Sequence, residues 1–139
     1  MSRVGVTAEA TSIGEDINVL EIISRKTNPD IVLIDEAQFL SRNQVRTLSE
    51  YIADNRKRNI PVICYGLKND FRNELFEGSA ALLAYADNLV EIESNCQKCD
   101  RKATMTLRFN KGKPVKSGDQ VLIGDQDYVP VCKEHYNNA

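Results

Sequence analysis

The chain reads as an α/β protein, a small parallel sheet with helices, followed by a compact β lobe of different character. Three observations carry this reading. Two apolar runs, Ile31–Ile34 and Ile60–Tyr65, alternate with segments of helical periodicity, the pattern of right-handed crossovers in a parallel sheet. At about Ser94 the chain changes to short β segments joined by Gly- and Lys-rich turns. Within that second region stand Cys96-x-x-Cys99 and Cys132-x-x-His135, two pairs at metal-ligand spacing. The expected division is residues 1–93 and residues 94–139.

The elements follow in order. Residues 16–27 place Val19, Ile22, Ile23 and Lys26 at helical spacing and predict a short amphipathic helix, ended by Asn28-Pro29. Ile31–Ile34 is a continuous apolar run, as expected of a parallel strand covered on both faces, and it stops at Asp35. A second helix is signalled from Ser41 by a capping box with Gln44, then by Val45, Leu48 and Ile52 along one face. Ile60–Tyr65 predicts the next strand, with Pro61 tolerated near its start. A long polar segment from Gly66 to Gly78 is interrupted by Leu67, Phe71, Leu75 and Phe76, and connections of that length are usually functional. A third helix is predicted from Ser79 to Asp87 and a third strand from Leu89 to Glu93. In the second region, β segments are predicted at Ala103–Phe109, Val121–Ile123 and Tyr128–Cys132.

Composition bounds the function classes. The 139 residues are 42% hydrophobic and 27% charged, a globular balance, and carry a net charge of −2. That charge gives no general attraction for nucleic acid or anionic membrane. No apolar stretch approaches a membrane span, and Met1-Ser2-Arg3-Val4 lacks the apolar core of a signal peptide, so a cytoplasmic chain is expected. One segment is locally basic: from Ser94 to Gly118 seven cations, Lys98, Arg101, Lys102, Arg108, Lys111, Lys113 and Lys116, face the single anion Asp100. Phe109 is its only aromatic residue, too few to stack bases, so a solvated hairpin surface is the expectation.

Cys96, Cys99, Cys132 and His135 form a Cys₃His set. Four protein ligands fill a tetrahedral Zn²⁺ and leave no open position, so the expected role is structural, in a lobe too small to bury its own core. Cys64, in an apolar strand, reads as a small core residue.

Asp35-Glu36 stands at the carboxyl end of an apolar strand, where ligands bind in open α/β sheets. An aspartate delivered there can support Mg²⁺ beside nucleotide phosphates, and the adjacent glutamate can act as a base. Ile34-Asp35-Glu36-Ala37-Gln38-Phe39-Leu40 resembles the hallmark segment of type II thymidine kinases, in particular those of Gram-positive bacteria. Further segments resemble the family in the same order: Gly66-Leu67-Lys68-Asn69-Asp70-Phe71, Phe76-x-Gly78-Ser79, Lys102-Ala103-Thr104-Met105, the two ligand pairs, and Ile123-Gly124 followed by Tyr128.

The resemblance implies a P-loop-kinase-like α/β fold with a zinc ribbon, and phosphoryl transfer from ATP, with Mg²⁺, to the thymidine 5′-hydroxyl. Glu36 would be the general base, and Asp35, Glu36, Ala37 and Gln38 would face the triphosphate. Phe39, Leu67, Phe71 and Phe76 would wall the thymine pocket. Leu122, Ile123, Gly124 and Tyr128 would belong to a lasso loop over the base, and Arg3 would lie near the substrate. It further implies a homotetramer, feedback inhibition by thymidine triphosphate and a role in nucleotide salvage. Read from spacing alone, Phe71, Phe76 and Tyr128 are rather core anchors that pin a loop and a hairpin; the resemblance is what assigns them to the pocket. The alternative class is a zinc-ribbon module that binds nucleic acid or protein through its basic segment.

A phosphate loop G-x-x-x-x-G-K-[ST] is absent, and none of the seven glycines begins one. The resemblance puts that loop, with a strand and a helix, upstream of Met1. The expectation is therefore a sheet incomplete at its N-terminus with an exposed apolar edge, in a truncated product, a fragment or an incomplete sequence that is inactive alone.

Overall fold

The computed structural model describes residues 8–14, 16–25, 29–54, 60–121 and 127–139. Helix α1 spans Val19–Arg25 and strand β1 spans Val32–Ile34; a 3₁₀ turn at Ala37–Phe39 leads into helix α2, Arg42–Asp54. Strand β2, Val62–Cys64, lies parallel to β1 with Leu33 opposite Ile63, and α2 makes the crossover between them. The predicted capping box is formed: the Gln44 N–H donates to Ser41 Oγ at 3.2 Å, and the Ser41 N–H donates to Gln44 Oε1 at 2.9 Å. The Pro61 carbonyl accepts the Val32 N–H at 2.9 Å, so proline serves the ladder through its oxygen and its missing N–H costs nothing there.

Val45 and Leu48 of α2, Val19 and Ile23 of α1, Ile34, Ala37, Leu40 and Ala81 form one buried core. Helix α3, Glu77–Tyr85, packs on α2 and on the 3₁₀ turn. Two expectations are corrected here. Strand β1 is covered on one face, not both: the pleat turns Leu33 and Ile63 together to the other face, where they are exposed. Leu89–Glu93 forms no strand. Its side chains Leu89, Val90 and Ile92 are exposed, and the segment is held by Glu91 and Glu93, whose carboxylates flank Lys102 Nζ, the latter at 3.2 Å. A β-prone composition without a partner strand forms no ladder.

The second sheet is antiparallel with order β4-β3-β5, where β3 is Met105–Asn110, β4 is Lys113–Val115 and β5 is Asp127–Val131. Strands β3 and β5 lie within about two residues of their predicted spans, whereas no strand is predicted at β4. The β3–β4 hairpin turns on Lys111 (φ 50°) and Gly112 (φ 75°), two consecutive left-handed residues as a two-residue primed turn demands. Val121 lies outside the strands, and Leu122 and Ile123 of the predicted segment lie outside the described residues. Leu107 and Val131 are fully buried beside Cys96 and Cys132, with Met105, Phe109, Val129 and Tyr136 packed around them, and the short helix α4, Lys133–Asn137, closes the lobe.

The long segment after β2 folds on Asp70. The carboxylate accepts the N–H groups of Arg72 at 2.8 Å and Glu74 at 2.9 Å, Arg72 Nε at 3.0 Å and Gln120 Nε2 at 3.1 Å. Burial would raise its pKa, but these four donors outweigh it and hold the carboxyl below its ordinary value. Phe71, beside it, is 1% exposed, and its carbonyl accepts the Tyr136 hydroxyl at 2.7 Å. The loop is thus an anchor between the two sheets, not a free excursion.

Candidate active site and metal centre

Strand β1 delivers Asp35 and Glu36 to its carboxyl end, both exposed. Glu36 has φ 52° and ψ 35°, left-handed backbone that a non-glycine residue adopts at a cost of about 1 kcal/mol or more. The N–H of Glu36 donates to Asp35 Oδ1 at 2.9 Å, and the Ala37 N–H donates to the Tyr65 carbonyl at 2.8 Å, which pins the turn to the end of β2.

Gln38 is 3% exposed and spends both ends of its amide inside the protein. Its Nε2 donates to Glu36 Oε2 at 2.5 Å, and its Oε1 accepts the Leu67 N–H at 3.1 Å. The Leu67 carbonyl in turn accepts Ser79 Oγ at 2.6 Å. Two glycines permit this closeness: a Cβ on Gly66 would lie 2.6 Å from Gln38 Oε1, and one on Gly78 would lie 2.5 Å from the Ala37 carbonyl oxygen. The strand end, the loop after β2 and the start of α3 therefore form one hydrogen-bonded corner with the Glu36 carboxylate at its surface.

The candidate residues divide by exposure. Asp35, Glu36, Phe39, Leu67 and Tyr128 are exposed, whereas Ala37, Gln38, Phe71 and Phe76 are buried. Phe76 meets the Phe39 ring edge-on, with centroids 5.8 Å apart, and so supports an exposed aromatic face from beneath. Arg3, Leu122, Ile123 and Gly124 lie outside the described residues.

At the other end of the second sheet the four metal-type ligands converge, their donor atoms all within 4.8 Å of one another. Tetrahedral Zn²⁺ with Zn–S of about 2.3 Å and Zn–N of about 2.05 Å requires S···S of about 3.8 Å and S···N of about 3.6 Å. Cys99 Sγ and Cys132 Sγ are 3.8 Å apart, and His135 Nδ1 lies 3.5 Å from Cys96 Sγ and 3.4 Å from Cys132 Sγ. These match three of the six edges of a zinc tetrahedron, and with all four donors gathered this closely the residues fit the ion. The Lys98 N–H donates to Cys96 Sγ at 3.4 Å. Burial alone would raise the Cys96 thiol, but the N–H groups of Cys132 and Lys98, with His135 and Cys99, bring it down to about 6. Arg101, paired with Glu134 at 2.6 Å and hydrogen-bonded to Cys99, would offset the net negative charge that three thiolates leave on a divalent ion held there. Cys64 takes no part: it packs against the first core, and burial pushes its thiol up.

Three of the seven cations in the basic segment are ion-paired or buried within the fold. Arg101 binds Glu134, Lys102 binds Glu91 and Glu93, and Arg108 is 3% exposed. Arg108, Gln120 and Tyr136, which join the second sheet to Asp70 and Phe71, carried no sequence signal, since contacts across such separations leave no local pattern. Gln38 was legible as part of a motif, but its inward hydrogen bonds were not.

An α/β corner presenting an acidic pair, tied to a metal-ribbon lobe, defines the class of protein. The particular family follows from comparison: the model of the family described as "Thymidine kinase" matches residues 1–136. The chain is 52% identical to the thymidine kinase of Listeria innocua serovar 6a over 140 residues, covering 99% of this chain and 72% of that protein. It is 53% identical to the thymidine kinase of Lactiplantibacillus plantarum over 138 residues, covering 97% and 70%. The thymidine kinase of Streptococcus pyogenes serotype M6 is 48% identical over 139 residues. The chain belongs to the thymidine kinase family. Among the described residues no helix is long and apolar enough to cross a membrane.

Proposed function

We propose that the chain carries the nucleoside side and the general base of phosphoryl transfer from ATP to thymidine. The observation that supports this most is the Glu36 carboxylate, set at the end of β1 and hydrogen-bonded by Gln38, in a chain about half identical to thymidine kinases over nearly its full length. In this reading Glu36 takes the proton of the thymidine 5′-hydroxyl as that oxygen attacks the γ-phosphorus. The bond from the γ-phosphorus to its bridging oxygen breaks, and ADP leaves. Mg²⁺ accompanying ATP supplies charge neutralisation for the phosphates, and Asp35 is the residue that would support it.

Phe39, Leu67 and Tyr128 face the thymine ring, with Phe71 and Phe76 behind them. Leu122, Ile123 and Gly124 supply backbone contacts to the base, and Arg3 belongs to the substrate pocket. Ala37 and Gln38 hold the turn that faces the triphosphate. Residues 1–93 and 94–139 act as two units, the second stapled by a structural Zn²⁺ held by Cys96, Cys99, Cys132 and His135. The setting is nucleotide salvage in the cytoplasm, by a homotetramer inhibited by thymidine triphosphate. No phosphate loop occurs in these residues, so turnover depends on phosphate-binding groups beyond them.

Titration calorimetry with thymidine tests this reading directly. Saturable binding to the zinc-loaded chain is expected, weakened in Tyr128→Ala and Phe39→Ala while metal content stays at wild-type level. Undiminished affinity in both variants would remove the assignment.

A further inference from the structure

Arg108 is the one strongly buried arginine among the described residues, and it has no carboxylate partner. Its guanidinium carbon sits 3.7 Å from the centroid of the Phe71 ring, a close stacking distance. Nη1 donates to the Asp119 carbonyl at 2.8 Å and Nη2 to the Ser117 carbonyl at 3.0 Å, while Nε is buried with no hydrogen-bond partner. A Cβ on Gly118 would lie 2.9 Å from Nη2, so the turn over residues 117–119 is wrapped closely about this group. Across the sheet, Arg108 is the register partner of Tyr128.

Burying an unpaired cation and an unsatisfied Nε–H is expensive, and an apolar side chain of similar length would fill the space more cheaply. Adjacent residues on β3 show the arrangement: Leu107 faces the cysteine core, and Arg108 faces the Asp70–Phe71 loop. The flat fork of an arginine does what a leucine or methionine cannot. It stacks on an aromatic face and grips two carbonyls at fixed angles at the same time.

We propose that Arg108 is a positioning residue for the nucleoside site, fixing Phe71 and the Ser117–Asp119 turn against Tyr128 so that the base-facing wall is set before substrate arrives. The proposal rests on the thymidine reading above and deepens it. It makes the lobe around the cysteines contribute to substrate affinity through one side chain, independently of metal ligation.

The test is thymidine titration of the zinc-loaded wild-type chain, Arg108→Met and Arg108→Lys, with metal content and thermal midpoint measured on each sample. Wild type should bind, and Arg108→Met should bind at least about tenfold more weakly, as loss of a desolvated cation–π contact and two carbonyl bonds implies, while keeping its zinc. Arg108→Lys keeps a cation over Phe71 but cannot hold both carbonyls, so a smaller loss is expected; it also serves if the methionine variant does not fold. The Arg108 Nε–H resonance should shift on adding thymidine, and that of Arg101 should not. Unchanged thymidine affinity in the folded variants, or an unmoved Arg108 resonance, would overturn the proposal and leave Arg108 as packing alone. A wild-type chain that binds no thymidine would instead sink the thymidine reading, and this inference with it.

Discussion

The Gln38 carboxamide links Glu36 to Leu67: it donates to Glu36 Oε2 at 2.5 Å and accepts the Leu67 N–H at 3.1 Å. The candidate base and a candidate wall of the nucleoside pocket are thereby held by one buried side chain. Gln38→Glu keeps the acceptor for Leu67 but sets a second carboxylate against Glu36, and two such groups at that distance cannot both ionise readily. The variant should lose stability at neutral pH and regain part of it as the medium is acidified toward the carboxylate range. Thermal midpoints of the variant and wild type between pH 7 and 5 check this; parallel curves would count against the contact.

Gly78 sets a steric limit on the same corner. An added Cβ would meet three backbone oxygens, those of Ala37 at 2.5 Å and of Gln38 and Leu40 at 2.7 Å, none of which belongs to a flexible side chain. Gly78→Ala should cost about 3 kcal/mol by urea unfolding, at the upper end of overpacking penalties. Gly112→Ala meets nothing within 4 Å and suffers only from its φ of 75°, so about 1 kcal/mol is expected there.

Asp70 predicts an acid-sensitive join between the sheets. Its folded pKa is depressed, so its contribution is complete above the unfolded value of about 3.9 and is lost as pH falls through the lower folded value. Urea midpoints from pH 7 to 3 should fall more steeply for wild type than for Asp70→Asn, which removes this charge and leaves the metal ligands intact. Equal slopes would show that Asp70 does not carry the join.

Zinc should be present at one ion per chain and should hold the second sheet together. Chelation, or His135→Ala, should abolish the ordered lobe signal by circular dichroism or NMR, because the ligands come from two segments far apart in the chain and the remaining core is small. His135→Cys should retain the metal, since a Cys₄ set satisfies the same tetrahedron. Metal loss without structural loss would remove the stapling role.

Much of this was legible because it is written locally. The capping box of Ser41 and Gln44 fixes the start of α2 by residues three apart, and each cysteine pair encodes its own turn. The strand predicted at Leu89–Glu93 failed because a strand needs a partner, and composition names none. Strand β4 was missed because Lys113-Pro114-Val115 has no apolar alternation; its place is dictated by the Lys111-Gly112 turn. The site's motif residues were readable as a segment, but exposure sorts them into those that can face a ligand and those that support from behind. Phe71 and Phe76 fall in the supporting group, and for Phe71 that placement involves Arg108, Gln120 and Tyr136 arriving from the far end of the chain.

The most direct test of the central claim is phosphate transfer from ATP to thymidine by this chain extended upstream with a phosphate loop, beside the same protein carrying Glu36→Gln. The account predicts transfer in the extended protein, and a loss of about a hundredfold or more in turnover when the base is replaced, with thymidine affinity largely kept. Transfer undiminished by Glu36→Gln, or none in the extended zinc-loaded protein, would contradict it.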